Sequence, residues 1–199
     1  MYTTKVLCAH TQSGACHGRV LLEVLIVAGL FLKTCYSEQM RHFIFHSIIA
    51  GVFCCVAMDV WQRILFFLFK IPPTNWSTAG RWFIMLINNK KIFNENLDNE
   101  NPVKYELQIG WLFHYWVAIV YAYAYYFVLA VGILDNSILS GLIFGLISVI
   151  IPWLFYLPAT GKGFMGNKTL NPTVTRLLST SSHIVMGIFL AIGFSFLGY

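Results

Sequence analysis

Charge is scarce in this chain. Of 199 residues, 13 are Lys or Arg and 8 are Asp or Glu, 11% in all, where a soluble domain carries about 25%. That shortage excludes a soluble globular domain. The formal charge of +5 does not point to nucleic acid, because a nucleic-acid domain gathers its cations on one soluble face, whereas these are strung between apolar runs. Cysteine is sparse as well. Five residues, with Cys54 and Cys55 adjacent inside an apolar run, exclude a disulfide framework. No G-x-S-x-G, H-E-x-x-H or C-x-x-C occurs, so no familiar catalytic motif is written locally.

What the chain has in abundance is apolar surface: 58% hydrophobic residues, including 17 Phe, 10 Tyr and 6 Trp. A membrane helix needs about 20 apolar residues to cross a hydrocarbon core of about 30 Å. Four runs qualify, at about residues 43–69, 111–134, 138–157 and 177–199. The fold class expected is therefore all-α, a polytopic four-helix transmembrane bundle. A fifth stretch, 20–32, reaches only about 20 Å and contains Glu23. It reads equally as a short fifth helix, a signal-like segment, or sequence upstream of a start at Met40. The organisation expected is thus an N-terminal tail or extra hydrophobic segment over 1–40 and one transmembrane domain over 41–199.

Positive charge in short loops marks the cytoplasmic side. Lys70, Arg81, Lys90, Lys91 and Lys104 lie between the first two spans, and Lys162, Lys168 and Arg176 between the last two. The opposite side has Arg41, joined by Lys33 if the N-terminal stretch spans, and the 135–137 turn has no cation. Loops 70–110 and 158–176 are accordingly expected in the cytoplasm and the C-terminus outside. Within the first loop, 75–87 suits a helix lying at the interface, and the Asn- and acid-rich 94–101 reads as a solvated loop.

An ionisable group inside a membrane helix is costly and usually faces the bundle interior. Gly51, Cys55, Asp59 and Arg63 recur every four residues, which puts Asp59 on a face with small residues suited to close packing. Two readings stand side by side: a proton-relay or cation-binding carboxylate, and an Asp59–Arg63 ion pair that anchors the helix. His114 shares a face with Ala118, Tyr121 and Tyr125, a stripe suited to carrying protons or binding a polar ligand, although packing is the favoured account of the tyrosines. Gly161, Lys162 and Gly163 with Gly166 match G-x-G-x-x-G, but a nucleotide fingerprint requires a strand and a βαβ unit. What remains there is a loop, with Lys168 and Asn171, that suits either anionic headgroups or a plain turn. Cys8, His10, Cys16 and His17 fit no zinc spacing, and His42 and His46 suit an interface as well as a metal, so no metal and no cofactor are assigned.

With both loops on one side, the polar residues gather at one depth. Asp59, Gln62 and Arg63, then Asn75, Trp76 and Arg81, then His114, Tyr115, Arg176 and His183 outline a shallow cavity facing the cytoplasm. Spans three and four carry Ser137, Gly141 and Gly145, and Gly187, Ala191 and Ser195, at four-residue spacing for close helix contact. Pro152 removes the hydrogen bond to the Ser148 carbonyl and is expected to kink span three.

Several phrases together resemble a bacterial family. They are the run from Ala57 to Arg63 through Met58, Asp59, Val60, Trp61 and Gln62; Pro73, Asn75 and Trp76 with Gly80, Arg81 and Trp82; Gly110 and Trp111 with His114 and Tyr115; and Gly161 and Gly163 leading to Asn171, Pro172 and Arg176. The match, over about 47–197, is to an uncharacterised family of small four-helix inner-membrane proteins, a domain of unknown function. Residues 1 to about 40 have no counterpart in it, and Leu170 stands where a proline is usual. The resemblance implies the fold and a multi-pass place in the bacterial inner membrane, and implies no activity. Three functions remain: a small proton-linked transporter or channel component, a membrane enzyme binding a lipid or quinone, and a structural or assembly subunit. The partners expected are the lipid bilayer and a second copy or another membrane-complex subunit, with no nucleic acid.

Overall fold

The computed structural model describes the backbone of residues 9–89 and 92–199 and the side chains of 38, 40–88 and 92–199. Cys8 and the side chains of His10, Cys16, His17 and 20–32, all named above as candidates, fall outside these. The chain forms two compact units, Met1–Phe43 and Ile44–Tyr199, and the candidate site lies wholly in the second. The described residues are helical with no strand. Among the described residues, four helices are long and apolar enough to cross a membrane: Met40–Phe69, Glu106–Ala130, Ile138–Ala159 and Pro172–Phe196. The protein is an all-α bundle whose outer face is lined by Phe67, Leu112, Leu139 and Ile147, the apolar exterior that lipid requires.

Helix α1 (Ala9–Phe69) presents Ser47, Ala50, Cys54, Cys55, Met58, Gln62 and Leu65 inward, a seam with a repeat near 3.5 residues. It stops where Lys70 takes a left-handed φ of 57° and Pro72 and Pro73 exclude further helix. Buried Gln62 then holds the turn, its side-chain oxygen accepting from Thr74 N at 2.9 Å. Asn75 accepts from Ser77 N at 3.0 Å, a cap for α2 (Trp76–Asn89).

The helix expected over 75–87 is α2, Trp76–Asn89. It is docked on α3 (Glu106–Ala130) through two glycines. A Cβ on Gly80 would stand 1.8 Å from the Glu106 carbonyl oxygen, and one on Gly110 would stand 1.8 Å from that of Trp76. No other residue permits backbones to approach so closely. Behind this crossing Trp82, Leu97 and Ala159 form a small buried cluster with Phe83, Leu86, Phe113 and Tyr156. Loop 94–101 is therefore not fully solvated. Leu97 is completely buried and Asn94 nearly so, because the loop's one large apolar side chain has a pocket to fill.

Helix α3 begins five residues earlier than the apolar run suggests. Its first carboxylate, Glu106, is neutralised by Arg81 through two bonds of 2.7 and 3.0 Å. The third apolar helix, Ile138–Ala159, starts as α4 (Ile138–Ser148) and passes through a π-helical turn at Pro152–Tyr156. Pro152 offers no N–H to the Ser148 carbonyl, and the Tyr121 hydroxyl donates to that oxygen at 3.4 Å. Helix α5 (Pro172–Phe196) meets α4 backbone to backbone, with a Cβ on Gly141 placed 2.3 Å from Gly187 O and one on Gly145 placed 2.3 Å from His183 O. Buried Tyr125, Met186, Leu190 and Phe194 fill the middle of the bundle.

The two polar loops meet at one end. Asn94 N donates to Ala159 O at 3.0 Å, and Lys168 pairs with Glu95 at 3.3 Å. At the other end Asn136 donates to Ser195 Oγ and to Tyr199 O at 3.1 and 3.0 Å, and Tyr199 packs edge-on against His46.

Candidate functional site

The stripe Gly51, Cys55, Asp59 and Arg63 is not straight in space. Four residues turn a helix by about 400°, so each step drifts about 40° round the axis. Gly51 lies hard against α3, where an added Cβ would be 2.7 Å from Ile119 Cα. Cys55 is buried on the same seam and Asp59 stands at its edge, while Arg63 has rotated out and is exposed. The Asp59–Arg63 ion pair is therefore not formed.

Asp59 turns instead to α3. Its Oδ1 is 3.1 Å from His114 Nε2, and its Oδ2 accepts from the Tyr115 hydroxyl at 3.3 Å. The His114 side chain is 5% exposed and that of Asp59 18%. The imidazole is thus enclosed, and the carboxylate remains the open side of the pair. Trp76 stacks on the imidazole, ring centres 3.8 Å apart and planes 21° from parallel. Trp111 meets the imidazole edge-on at 5.9 Å. This stacking follows from the glycine crossing: Gly110 lies one turn before His114 and Gly80 one turn after Trp76, so the close α2–α3 approach lowers the Trp76 ring onto His114. Cys55, one turn before Asp59, completes the group, with ligand atoms of Cys55, Asp59 and His114 all within 4.8 Å of one another.

The structure brings Asp59, His114, Tyr115 and Trp76 together, with Gln62 one turn away holding the chain that leads to Trp76. The other expected cavity residues have separate duties. Arg81 is spent on Glu106 and on the carbonyls of Leu97 and Glu100 at 3.2 and 2.8 Å; the Glu106 carboxylate holds its guanidinium still more firmly protonated. Arg176 donates to Met165 O at 3.0 Å. His183 lies deeper, its Nδ1 2.7 Å from Ser148 Oγ and its ring edge-on to Tyr121, which stands about 10 Å along α3 from His114.

The glycine loop is also more structural than the sequence suggests. Gly161 and Gly163 have φ of 78° and 72°, and a Cβ on Gly161 would reach within 2.5 Å of Glu95 O. Asn171 caps α5 by accepting from Val174 N at 3.2 Å. A cleft of about 290 Å³ opens here between Phe93, Glu95, Gly163, Phe164 and Lys168, with Lys162 beside it in the turn. Lys168 faces the exposed Glu95 carboxylate at 3.3 Å. Cys55 is the residue sequence reasoning left out of the site. Its signal was the i, i+4 spacing from Asp59, which placed a thiol and a carboxylate on one face but could not supply the imidazole from another helix.

These features define a class: an all-α protein of the membrane type, with a carboxylate and an imidazole in contact between helices long and apolar enough to cross a bilayer. Within that class, a family model described as "Protein of unknown function (DUF2938)" matches residues 48–195. The chain belongs to this family. No curated protein and no solved structure matches it.

Proposed function

We propose that the protein is a small, proton-linked transporter or channel component, and that the Asp59–His114 contact is its intramembrane cation-binding site. The observation that carries this reading is the 3.1 Å contact itself. Ionisable residues within spanning helices are rare and commonly mark an ion pathway. Here two of them share one point, with the carboxylate the more open. Asp59 lies ten residues from the end of α1 and His114 eight from the start of α3, about 12–15 Å along each helix. The site is therefore nearer the end that bears the two loops.

That end is read as cytoplasmic in a bacterial inner membrane, crossed by all four helices. The reading is supported by Lys70, Arg81, Lys104, Lys162, Lys168 and Arg176 at or beside the joined loops, since short cytoplasmic loops carry the excess of cations. It places Tyr199 outside. The test uses liposomes prepared with a chelator and a pH-sensitive dye inside. The wild type is expected to pass protons under an imposed gradient and Asp59→Asn to reduce the rate to that of empty vesicles. Equal rates for the two proteins would overturn the proposal.

A further inference from the structure

The Asp59–His114 pair has a third member that a purely proton-handling site does not need. Cys55 is fully buried and one turn before Asp59, and its sulfur lies with the carboxylate and the imidazole inside a 4.8 Å group. In a tetrahedral zinc site, bonds of about 2.0–2.3 Å put neighbouring ligand atoms roughly 3.3–3.6 Å apart. His114 Nε2 and Asp59 Oδ1 are already 3.1 Å apart, so small side-chain adjustments bring three donors onto one ion.

The geometry points to a binding site for a divalent transition-metal cation of the zinc type, held by Cys55 Sγ, Asp59 Oδ1 and His114 Nε2. This rests on the reading of the same contact as a cation site and names the class of cation. The donor set decides that class. Thiolate and imidazole favour borderline and soft ions such as zinc, whereas magnesium and calcium take oxygen ligands almost exclusively. Three protein ligands leave a fourth place for water or a passing ligand, the arrangement of an exchangeable site rather than a closed structural one.

Supporting groups are in place. Tyr115 holds the second carboxylate oxygen at 3.3 Å, the kind of outer contact that orients a metal ligand, and Trp76 fixes the plane of the imidazole. Binding replaces the thiol proton of Cys55 with the metal and releases that proton. With the ring neutral, the proton that Nε2 shares with Asp59 Oδ1 shifts to Nδ1 as the imidazole changes tautomer and gives its Nε2 lone pair, so the thiol proton is the one that leaves for each ion bound.

Cys54 supplies an internal control. It is equally buried but donates to Gly51 O at 3.2 Å and is not a member of the group. The experiment uses the full chain in detergent with Cys8→Ser, Cys16→Ser and Cys35→Ser, leaving only Cys54 and Cys55 as thiols. After chelator treatment, cobalt(II) is titrated and thiolate-to-cobalt charge-transfer absorption followed. The expected result is a saturable band at one cobalt per chain, retained by Cys54→Ser, lost in Cys55→Ser, and bleached by zinc. His114→Gln keeps both thiols and is expected to weaken cobalt binding strongly, and Tyr115→Phe to weaken it about tenfold with the band's shape unchanged. Absence of a saturable band in the parent overturns the inference, as does a band that survives Cys55→Ser or one that Cys54→Ser removes equally. Were Cys55→Ser to fail to fold, undiminished binding by His114→Gln would overturn it alone. Because no flux is measured, failure here leaves the proton assay standing, and failure of that assay leaves the metal titration standing.

Discussion

Replacing Gly110 with Ala tests how the site is assembled. The added Cβ would stand 1.8 Å from the Trp76 carbonyl oxygen and 2.6 Å from its carbon. Both contacts are backbone, so no side-chain rotation relieves them. Helix α2 must move away by about 1.7 Å to reach an ordinary separation of about 3.5 Å. That movement unstacks Trp76 from His114, worth about 0.5–1.5 kcal/mol, and loosens the helix contact, for which overpacking costs about 1–3 kcal/mol. The sum is about 3 kcal/mol. Gly80→Ala produces the same clash from the opposite helix, 1.8 Å from Glu106 O, and should cost a similar amount. Because either change alone separates the pair, the double substitution should cost less than the two added, by about 1 kcal/mol or more. The assay is thermal unfolding in detergent followed by tryptophan fluorescence, where about 3 kcal/mol corresponds to roughly 6–12 °C in a chain of this size. Gly132→Ala is the control: its φ is 72° but nothing lies within 4 Å of the added carbon, so only backbone strain of about 1–2 kcal/mol applies. Single shifts no larger than the control's, or strictly additive ones, would refute the argument.

Two further outcomes follow from the same end of the bundle. Arg81→Met leaves the Glu106 carboxylate, 14% exposed, without its partner and should lower stability by about 2–3 kcal/mol, less than for a wholly buried pair. Adding Glu106→Met should recover most of that loss in the same melting assay, and no recovery would show that the guanidinium matters through its bonds to the Leu97 and Glu100 carbonyls instead. Leu97→Ala empties a fully buried pocket and should cost about 2–4 kcal/mol. Its readout is limited proteolysis, since loop 94–101 loses its anchor and should be cleaved faster, whereas unchanged cleavage would mean the loop is held by its hydrogen bonds alone.

Much of the architecture was legible because a bilayer imposes one strong condition: backbone polar groups must be satisfied within each helix, so runs of about 20 apolar residues announce the spans. The boundaries were less legible where a charge had a distant partner. Glu106 looked like loop because nothing nearby in sequence revealed Arg81 reaching it from α2. The Asn-rich stretch looked solvated because a single leucine among polar residues carries no periodic signal. Asp59 and His114 stood out as candidates by the same rule that found the spans, since each interrupts or begins an apolar run. Their contact crosses 55 residues of chain and no spacing rule reports it.

Sequence by itself therefore determined the all-α class, the number of helices in the described chain long and apolar enough to cross a membrane, and Asp59 and His114 as ionisable residues within them, all consequences of local composition. Only the tertiary structure decided which of the polar residues belong together. It turned Arg63 outward, committed Arg81, Arg176 and His183 to structural bonds, and brought Cys55 beside Asp59 and His114. The reason is geometric. A helix drifts about 40° for every four residues, so a stripe that looks continuous in sequence leaves the interface after two or three turns, and which turn meets a neighbour depends on where glycines let the backbones touch.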